Sequence, residues 1–150
     1  MSARSACAGA LLIAGWALAM PAFAHAEKRA HQLHMLNAVN EVRAQHGVHA
    51  FHGAPRLHRS ASSYARWMLR HGYFGHLARI RASGFRRLGE NLSWHSGRRP
   101  APRATVRRWL ASPTHRALML SPAFRWLGAG IAQGRFGGRV ATIWVLHFGG

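Results

Sequence analysis

The spacing of apolar and polar residues predicts two long helices in the first half of the chain. A period of 3.6 residues over 27–46 indicates the first helix, and Gly47 is placed to end it. Its apolar stripe comprises Leu33, Leu36, Val39 and Val42 or Arg43. The same period over 56–71, followed by Gly72, indicates the second helix. The apolar face of this second helix comprises Leu57, Ala61, Tyr64, Ala65 and Met68.

The middle of the chain is divided by Gly and Pro residues. Residues 48–55 read as a loop, and residues 77–88 are basic and irregular. A short strand is expected over residues 91–94. Pro102 suits the first turn of a third helix, which should end before Pro113 because the residue before a proline disfavours the helical conformation. A short helix is expected over residues 114–120, where the pattern stays apolar.

The C-terminal end has a different pattern. Residues 127–133 and 139–148 are apolar and β-rich, and glycines separate them, which predicts a hairpin. Because helices come first and strands last, the predicted class is α+β, with helices packed on a small antiparallel sheet in one domain. We expect four of the tryptophans to lie in the core or in a cavity wall: Trp94, Trp109, Trp126 and Trp144.

The N-terminus has the pattern of a secretory signal. Arg4 supplies the positive start, an apolar run covers residues 8–20, and small-residue cleavage motifs lie within residues 22–26. We therefore predict that residues 1–26 are a signal peptide and that the mature protein is secreted or periplasmic. The apolar run is too short for a typical transmembrane helix, so the mature chain should contain no transmembrane segment. The only cysteine, Cys7, lies in this signal, which leaves the mature domain without a disulfide.

The charge balance is strongly basic. The 150 residues include 21 Lys and Arg against 3 acidic residues, which gives a formal net charge of +18. Such a surface attracts anions, and anionic envelope polymers or lipids are the expected partners of an exported protein. Any binding to nucleic acid should lack sequence preference and should depend steeply on salt.

Glu90 stands apart from the other two acidic residues. Glu27 and Glu41 lie on the predicted first helix, whereas Glu90 lies between a glycine and an apolar-aromatic run. A carboxylate is costly to bury without a partner. The candidate partners are His76 upstream and His115 downstream, and we expect the three side chains to converge on one cleft.

The order of motifs along the chain resembles that of the CAP superfamily, which comprises cysteine-rich secretory proteins, antigen 5 and plant pathogenesis-related proteins. The resemblance is greatest to the compact bacterial members known as SCP-like extracellular proteins, and it covers residues 33–148. The stretches that carry it are Leu36-Asn37-Ala38-Val39-Asn40-Glu41-Val42-Arg43, Tyr64-Ala65-Arg66-Trp67-Met68, Phe74-Gly75-His76, Gly89-Glu90-Asn91-Leu92, Trp109-Leu110-Ala111-Ser112-Pro113-Thr114-His115-Arg116, Leu127-Gly128-Ala129-Gly130 and Ile143-Trp144-Val145-Leu146-His147-Phe148-Gly149.

This resemblance implies an α-β-α sandwich with a small antiparallel sheet between helices. It also implies a central cavity lined by two histidines and two acidic residues. By motif, His76 and His115 match the two histidines and Glu90 matches one acid. The second acid is expected at position 112, where this chain has Ser112. The resemblance therefore implies a site with three of the four members.

Two interpretations of these three residues remain open. Two imidazoles and a carboxylate make a reasonable set of zinc ligands with one position free, so His76, Glu90 and His115 are candidate metal ligands and Zn²⁺ is the candidate cofactor. The alternative is a structural cluster that ties loops together around a buried glutamate.

Three functional hypotheses follow. The preferred one is a binding module whose cleft takes a lipid, a sterol or another apolar or amphiphilic envelope ligand, as the resemblance implies. The second is a metal-assisted hydrolase that uses His76, Glu90 and His115, which the replacement of the second acid by Ser112 disfavours. The third is a cationic protein that binds polyanions of the envelope. Enzymatic activity is thus left open and is not the favoured hypothesis.

Overall fold

The computed structural model describes residues 20–150, and the surroundings of side chains from residue 26 onward. This part of the chain contains four helices, α1 Met20–Gln45, α2 Pro55–His71, α3 Pro102–Ala111 and α4 Pro113–Leu120. It also contains four strands, β1 His52–Gly53, β2 Leu88–Ser96, β3 Trp126–Phe136 and β4 Arg139–Gly149. Most of the predicted signal peptide, residues 1–19, lies outside the described residues, while the predicted cleavage motifs fall within the first turns of α1.

The strands form one sheet in the order β1-β3-β4-β2. β3 and β4 make the predicted hairpin, with Gly137 and Gly138 at φ values of 56° and 79° in its two-residue turn. Such positive values suit glycine because it has no Cβ. β2 pairs with β4 in antiparallel register and is longer than predicted, while the two-residue β1 pairs in parallel with β3. β1 was not predicted, because two residues are too few to form a recognisable pattern.

α2 packs on one face of the sheet at unusually close range. A Cβ atom on Gly128 would lie 2.1 Å from the backbone carbon of Leu57, and one on Gly130 would lie 2.2 Å from that of Ala61. Glycine is therefore required at both positions of β3. All five residues predicted for the apolar face of α2 are buried, and Gly72 ends the helix in the left-handed conformation.

The other face of the sheet carries α1, α3 and α4, so the fold is the expected α+β sandwich. In α1 the buried stripe is rotated from the predicted one. Met35, Val39 and Arg43 are buried, but Leu33 is 54% exposed, which corrects the prediction for Leu33. The pattern alone could not choose between Leu33 and Met35, because both lie near the edge of the apolar stripe.

The tryptophans divide into two groups. Trp109 and Trp144 lie in the core as expected, and the Trp109 indole donates to the carbonyl of Leu92 at 2.8 Å, which ties α3 to β2. Trp94 and Trp126 are 40% and 42% exposed, so their predicted burial is wrong. Both residues lie toward the ends of strands, where the helices no longer cover the sheet. Among the described residues, no helix is both long enough and apolar enough to cross a membrane.

Candidate functional site

Glu90 lies on β2 at the α2 face of the sheet, directly opposite His147 of β4. Its side chain is only 5% exposed. Oε1 accepts hydrogen bonds from His76 Nδ1 at 2.9 Å and from the backbone N–H of Leu77 at 3.1 Å. Oε2 pairs with His147 Nε2 at 3.0 Å. Every partner of this buried carboxylate is thus supplied by the protein, and Glu90 links the sheet to the segment that follows α2.

His76 reaches Glu90 because the chain turns sharply after α2. Gly72 ends the helix, and the hydroxyl of Tyr64 on α2 then donates to the carbonyl of Gly75 at 2.5 Å. Burial, followed by the negative charge of Glu90 and by Tyr73, raises the pKa of Tyr64 to about 12, so this hydroxyl keeps its proton across the neutral range. The His76 side chain is 61% exposed, and its ring therefore joins the buried carboxylate to solvent.

His147 is the functional residue that sequence reasoning missed. It is fully buried on β4, and its Nδ1 has no hydrogen-bond partner within the described part of the chain. The signal was present, because a histidine interrupts the apolar run of residues 143–148. Its link to Glu90 depends on the strand register, which a single sequence does not reveal.

His115 was expected to converge with His76 and Glu90 on one cleft, as a candidate partner of Glu90. It lies on α4, and its Nδ1 pairs with the hydroxyl of Ser112 at 2.9 Å rather than with Glu90. Its backbone carbonyl accepts from the side chain of Asn91 at 3.1 Å, which ties α4 to β2. Burial, followed by the nearby charge of His76, lowers the pKa of His115. His76 and His115 therefore interact electrostatically, while Ser112 occupies the place of the missing acid and orients His115.

This arrangement limits how a metal could be held. Both oxygens of Glu90 are paired with histidines, so the carboxylate orients the His76 ring. The ring nitrogens without a hydrogen-bond partner among the described residues are Nε2 of His76, Nε2 of His115 and the buried Nδ1 of His147. Among the residues that the structure describes, no group of three or more His, Cys, Asp or Glu is placed to hold a metal ion.

A cleft of about 580 Å³ opens beside this cluster. The polar pair of His76 and Glu90 lines one part of it. Its apolar side chains are Leu77, Ala78, Ile80, Ala82, Phe85 and Leu88, and Arg79 and Ser83 add further polar groups. The residues that line this cleft do not include His115. The cleft thus combines two of the three predicted site residues with an apolar wall formed by the segment between α2 and β2.

Several solved structures share this fold. An extracellular protein with an SCP domain from Bacillus anthracis matches with a TM-score of 0.64 and 19% identity, over 81% of this chain and 41% of that one. The present chain therefore spans less than half the length of that protein. An outer surface protein from Borrelia burgdorferi matches with a TM-score of 0.61 and 18% identity, over 77% of this chain and 88% of that one.

A third solved structure, from another organism, shares the fold. Venom allergen-like protein 4 from Schistosoma mansoni matches with a TM-score of 0.61 and 14% identity, over 80% of this chain and 89% of that one. At these identities the likeness concerns the fold alone. No curated protein sequence matches the chain.

The sequence itself carries the family assignment. The pattern of the cysteine-rich secretory protein family, CAP, matches residues 36–148, which is most of the chain and includes Glu90, both predicted site histidines and His147. The helices, the sheet and the placement of Glu90 agree with the expected sandwich. The chain therefore belongs to the cysteine-rich secretory protein (CAP) family.

Proposed function

We propose that this protein is an exported CAP-domain binding module whose cleft takes a small amphiphilic ligand, of the lipid or sterol kind. Export is supported by the signal pattern of residues 1–26 and by the extracellular or outer-surface character of two structural relatives. The observation that carries the ligand proposal is the mixed lining of the cleft. The hydrogen-bonded pair of His76 and Glu90 lies beside a set of apolar side chains within a volume typical of small-molecule sites.

The two parts of the cleft suit two parts of one ligand. Glu90 holds His76 at 2.9 Å, and the exposed edge of the His76 ring can donate to or accept from a ligand hydroxyl or carboxylate. Ile80, Phe85 and Leu88 are half-buried, so an apolar body against them would remove further surface from water. Burial of such surface contributes about 25 cal/mol per Å².

Native mass spectrometry of protein purified from its own secretion route would show a bound amphiphile directly. Binding of radiolabelled palmitate and cholesterol then tests the site. Ile80→Gln should weaken binding of either lipid, whereas Val140→Gln, at an exposed apolar residue on the distant hairpin, should not. The proposal fails if neither probe binds, or if both variants bind as the unaltered protein does.

A hydrolase remains the second candidate function, and the chain of His76, Glu90 and His147 is what favours it. A carboxylate that orients an exposed imidazole is a recurring arrangement for a general base. The nucleophile would have to be water, since no serine or cysteine hydrogen-bonds to His76 among the described contacts. Hydrolysis of a chromogenic ester by the unaltered protein, lost in His76→Gln, would support this function. Equal activity of the variant would eliminate it.

Zinc binding through His76, Glu90 and His115 stays a prediction of the sequence. We expect replacement of His76 and His115 together to abolish binding of Zn²⁺, and replacement of His49 and His52 together to leave it unchanged. Calorimetric titration of tag-free protein measures this difference. Equal binding by both double variants would place the metal on scattered surface histidines.

A further inference from the structure

A second groove runs along the outer face of α2, on the other side of segment 77–83 from the cleft. Its volume is about 1050 Å³, and the opposite wall is formed by residues 73–83. We call it the α2 groove and define it by six of its lining residues: Arg56, Arg59, Trp67, Arg70, Tyr73 and Arg81. The α2 residues among them lie at helical spacing, so they form one continuous stripe from the first turn to the last.

The groove carries four positive charges and no negative one. The three glutamates of the chain lie elsewhere, and in the described part of the chain none of them forms an ion pair with Arg56, Arg59, Arg70 or Arg81. Among the described residues, these guanidinium groups make one hydrogen bond, a long one from Arg56 to the carbonyl of Ser83 at 3.4 Å. Their charge-assisted donors are thus available to a ligand with several anionic groups.

The charges are distributed along the groove. Arg56 and Arg70 stand at opposite ends of α2, a separation of about 21 Å at the usual helical rise. Arg81 lies near the Arg56 end, because the opposite wall runs back along α2 and meets Arg56 at Ser83. A ligand with one anionic head and an apolar tail would leave one end of the groove unmatched. A linear ligand with repeated negative charges matches both ends.

The aromatic residues of the α2 groove help to indicate which kind of anionic polymer it binds. Trp67 stacks with His71 at a centroid distance of 4.6 Å and with Tyr64 at 5.8 Å, while 39% of its surface stays exposed. These neighbours occupy part of the ring surface on which a nucleobase would stack, and stacking supplies much of the affinity for single-stranded nucleic acid. Between the arginines, Ser60 and Ser63 line the groove and present hydroxyl groups, which suit a ligand that is itself rich in hydroxyls.

We propose that the α2 groove binds a short stretch of an acidic polysaccharide, one whose sugar units carry carboxylate, phosphate or sulfate groups. The arginines pair with the anionic groups, and Ser60 and Ser63 hydrogen-bond with the sugar hydroxyls. The proposal does not rest on the amphiphile cleft. The two cavities share part of their lining, namely His76, Leu77, Ala78, Ala82 and Ser83, and the four arginines line the α2 groove alone.

The test compares two variants of equal net charge by calorimetry. One is R56Q/R59Q/R70Q/R81Q in the groove, and the other is R107Q/R116Q/R135Q/R139Q on exposed positions outside it. The probes are an oligogalacturonate and a heparin oligosaccharide, with neutral dextran as the control ligand. We expect the groove variant to bind both acidic probes at least about tenfold more weakly and with a flatter salt dependence, because it loses the charged contacts. The remote variant should change affinity less than about twofold, and dextran should not bind.

Two further measurements distinguish an acidic polysaccharide from other anionic ligands. S60A/S63A keeps the charge and should weaken oligogalacturonate binding while leaving a thymidine oligonucleotide unaffected. Equal losses in the two quadruple variants would overturn the proposal in favour of diffuse surface charge. It would also be overturned if the oligonucleotide, or vesicles of phosphatidylglycerol, bound more tightly than the glycans and only the groove variant lost that binding. Circular dichroism and thermal melting of each variant establish that it folds.

Discussion

Two buried charges, one in each layer of the sandwich, are stabilised in opposite ways. Arg43 on α1 is fully buried, and its guanidinium donates only to backbone carbonyls, those of His49, Met119, Ser121 and Phe124. It also lies over the ring of Phe51 at 3.7 Å. Glu90 on β2 is bound mainly by titratable side chains, His76 and His147.

The two sets of partners suit different roles, a structural one for Arg43 and a functional one for Glu90. The carbonyls around Arg43 cannot change their charge, so this cluster has one state at every physiological pH. Burial, with a smaller contribution from Arg125, lowers the pKa of Arg43 to about 10, which still leaves it charged at neutral pH. The side-chain partners of Glu90 are two imidazoles, and one of them, His76, reaches solvent. Of the two, only the Glu90 cluster can exchange protons with a ligand.

The largest expected effect is the loss of Arg43. Arg43→Met would leave four carbonyl groups without their charged donor, so we expect the free energy of unfolding to fall by about 3 kcal/mol or more. Urea denaturation measures it. The matched control is Arg103→Met, which removes an exposed ion pair with Glu41 and should leave the free energy of unfolding nearly unchanged, because solvent screens exposed pairs. Similar losses in both variants would show that the buried hydrogen bonds of Arg43 contribute no more to stability than an exposed ion pair.

Glu90→Gln should have the next largest effect. It removes a buried charge and leaves the histidine donors poorly paired, so we expect a loss of about 1–3 kcal/mol in stability together with a loss of ligand binding. Glu41→Gln, at an exposed glutamate, serves as the control in the same denaturation and binding measurements. Unchanged melting and binding in the Glu90 variant would make Glu90 an ordinary polar residue.

A double-mutant cycle between Glu90 and His147 should reveal their coupling. His147→Leu deprives Glu90 of one partner but also removes the unpaired Nδ1 of His147, so its own effect should be smaller than that of Glu90→Gln. We expect the double variant to differ from the sum of the single variants by about 0.5–3 kcal/mol. Strict additivity would mean that the 3.0 Å contact contributes nothing to stability.

The smallest effect concerns Tyr64, which supports the segment carrying His76. Tyr64→Phe removes one hydrogen bond to Gly75 and should cost about 1 kcal/mol at neutral pH. Because the folded state raises the pKa of Tyr64 to about 12 from its usual 10, it retains the proton that the unfolded chain releases. The stabilisation is therefore complete below pH 10 and is lost as the pH rises toward 12. The phenylalanine variant should lack this alkaline decline in denaturation experiments, and an unchanged decline would assign it to other groups.

Local patterns were sufficient for the helices and for the hairpin, and they singled out Glu90. The apolar face of α2 was predicted in full because helical spacing and the flanking Pro55 and Gly72 agree with one another. Glu90 stood out because an acidic residue is rare in this chain and lies beside an apolar run, and its burial against His76 agrees with that reasoning. The family resemblance added the expected sandwich, which the order of elements alone would have left less defined.

The sequence by itself thus determined the helices, the hairpin, the basic surface and the prominence of Glu90, because each depends on residues close together along the chain. Only the tertiary structure decided which groups meet Glu90. Strand register brought in His147, 57 residues away, and the Ser112 hydroxyl held His115 apart from the carboxylate. The burial of Arg43 also depended on carbonyls up to 81 residues distant. Hydrogen bonds between remote segments depend on how whole layers pack, and no local pattern encodes that packing.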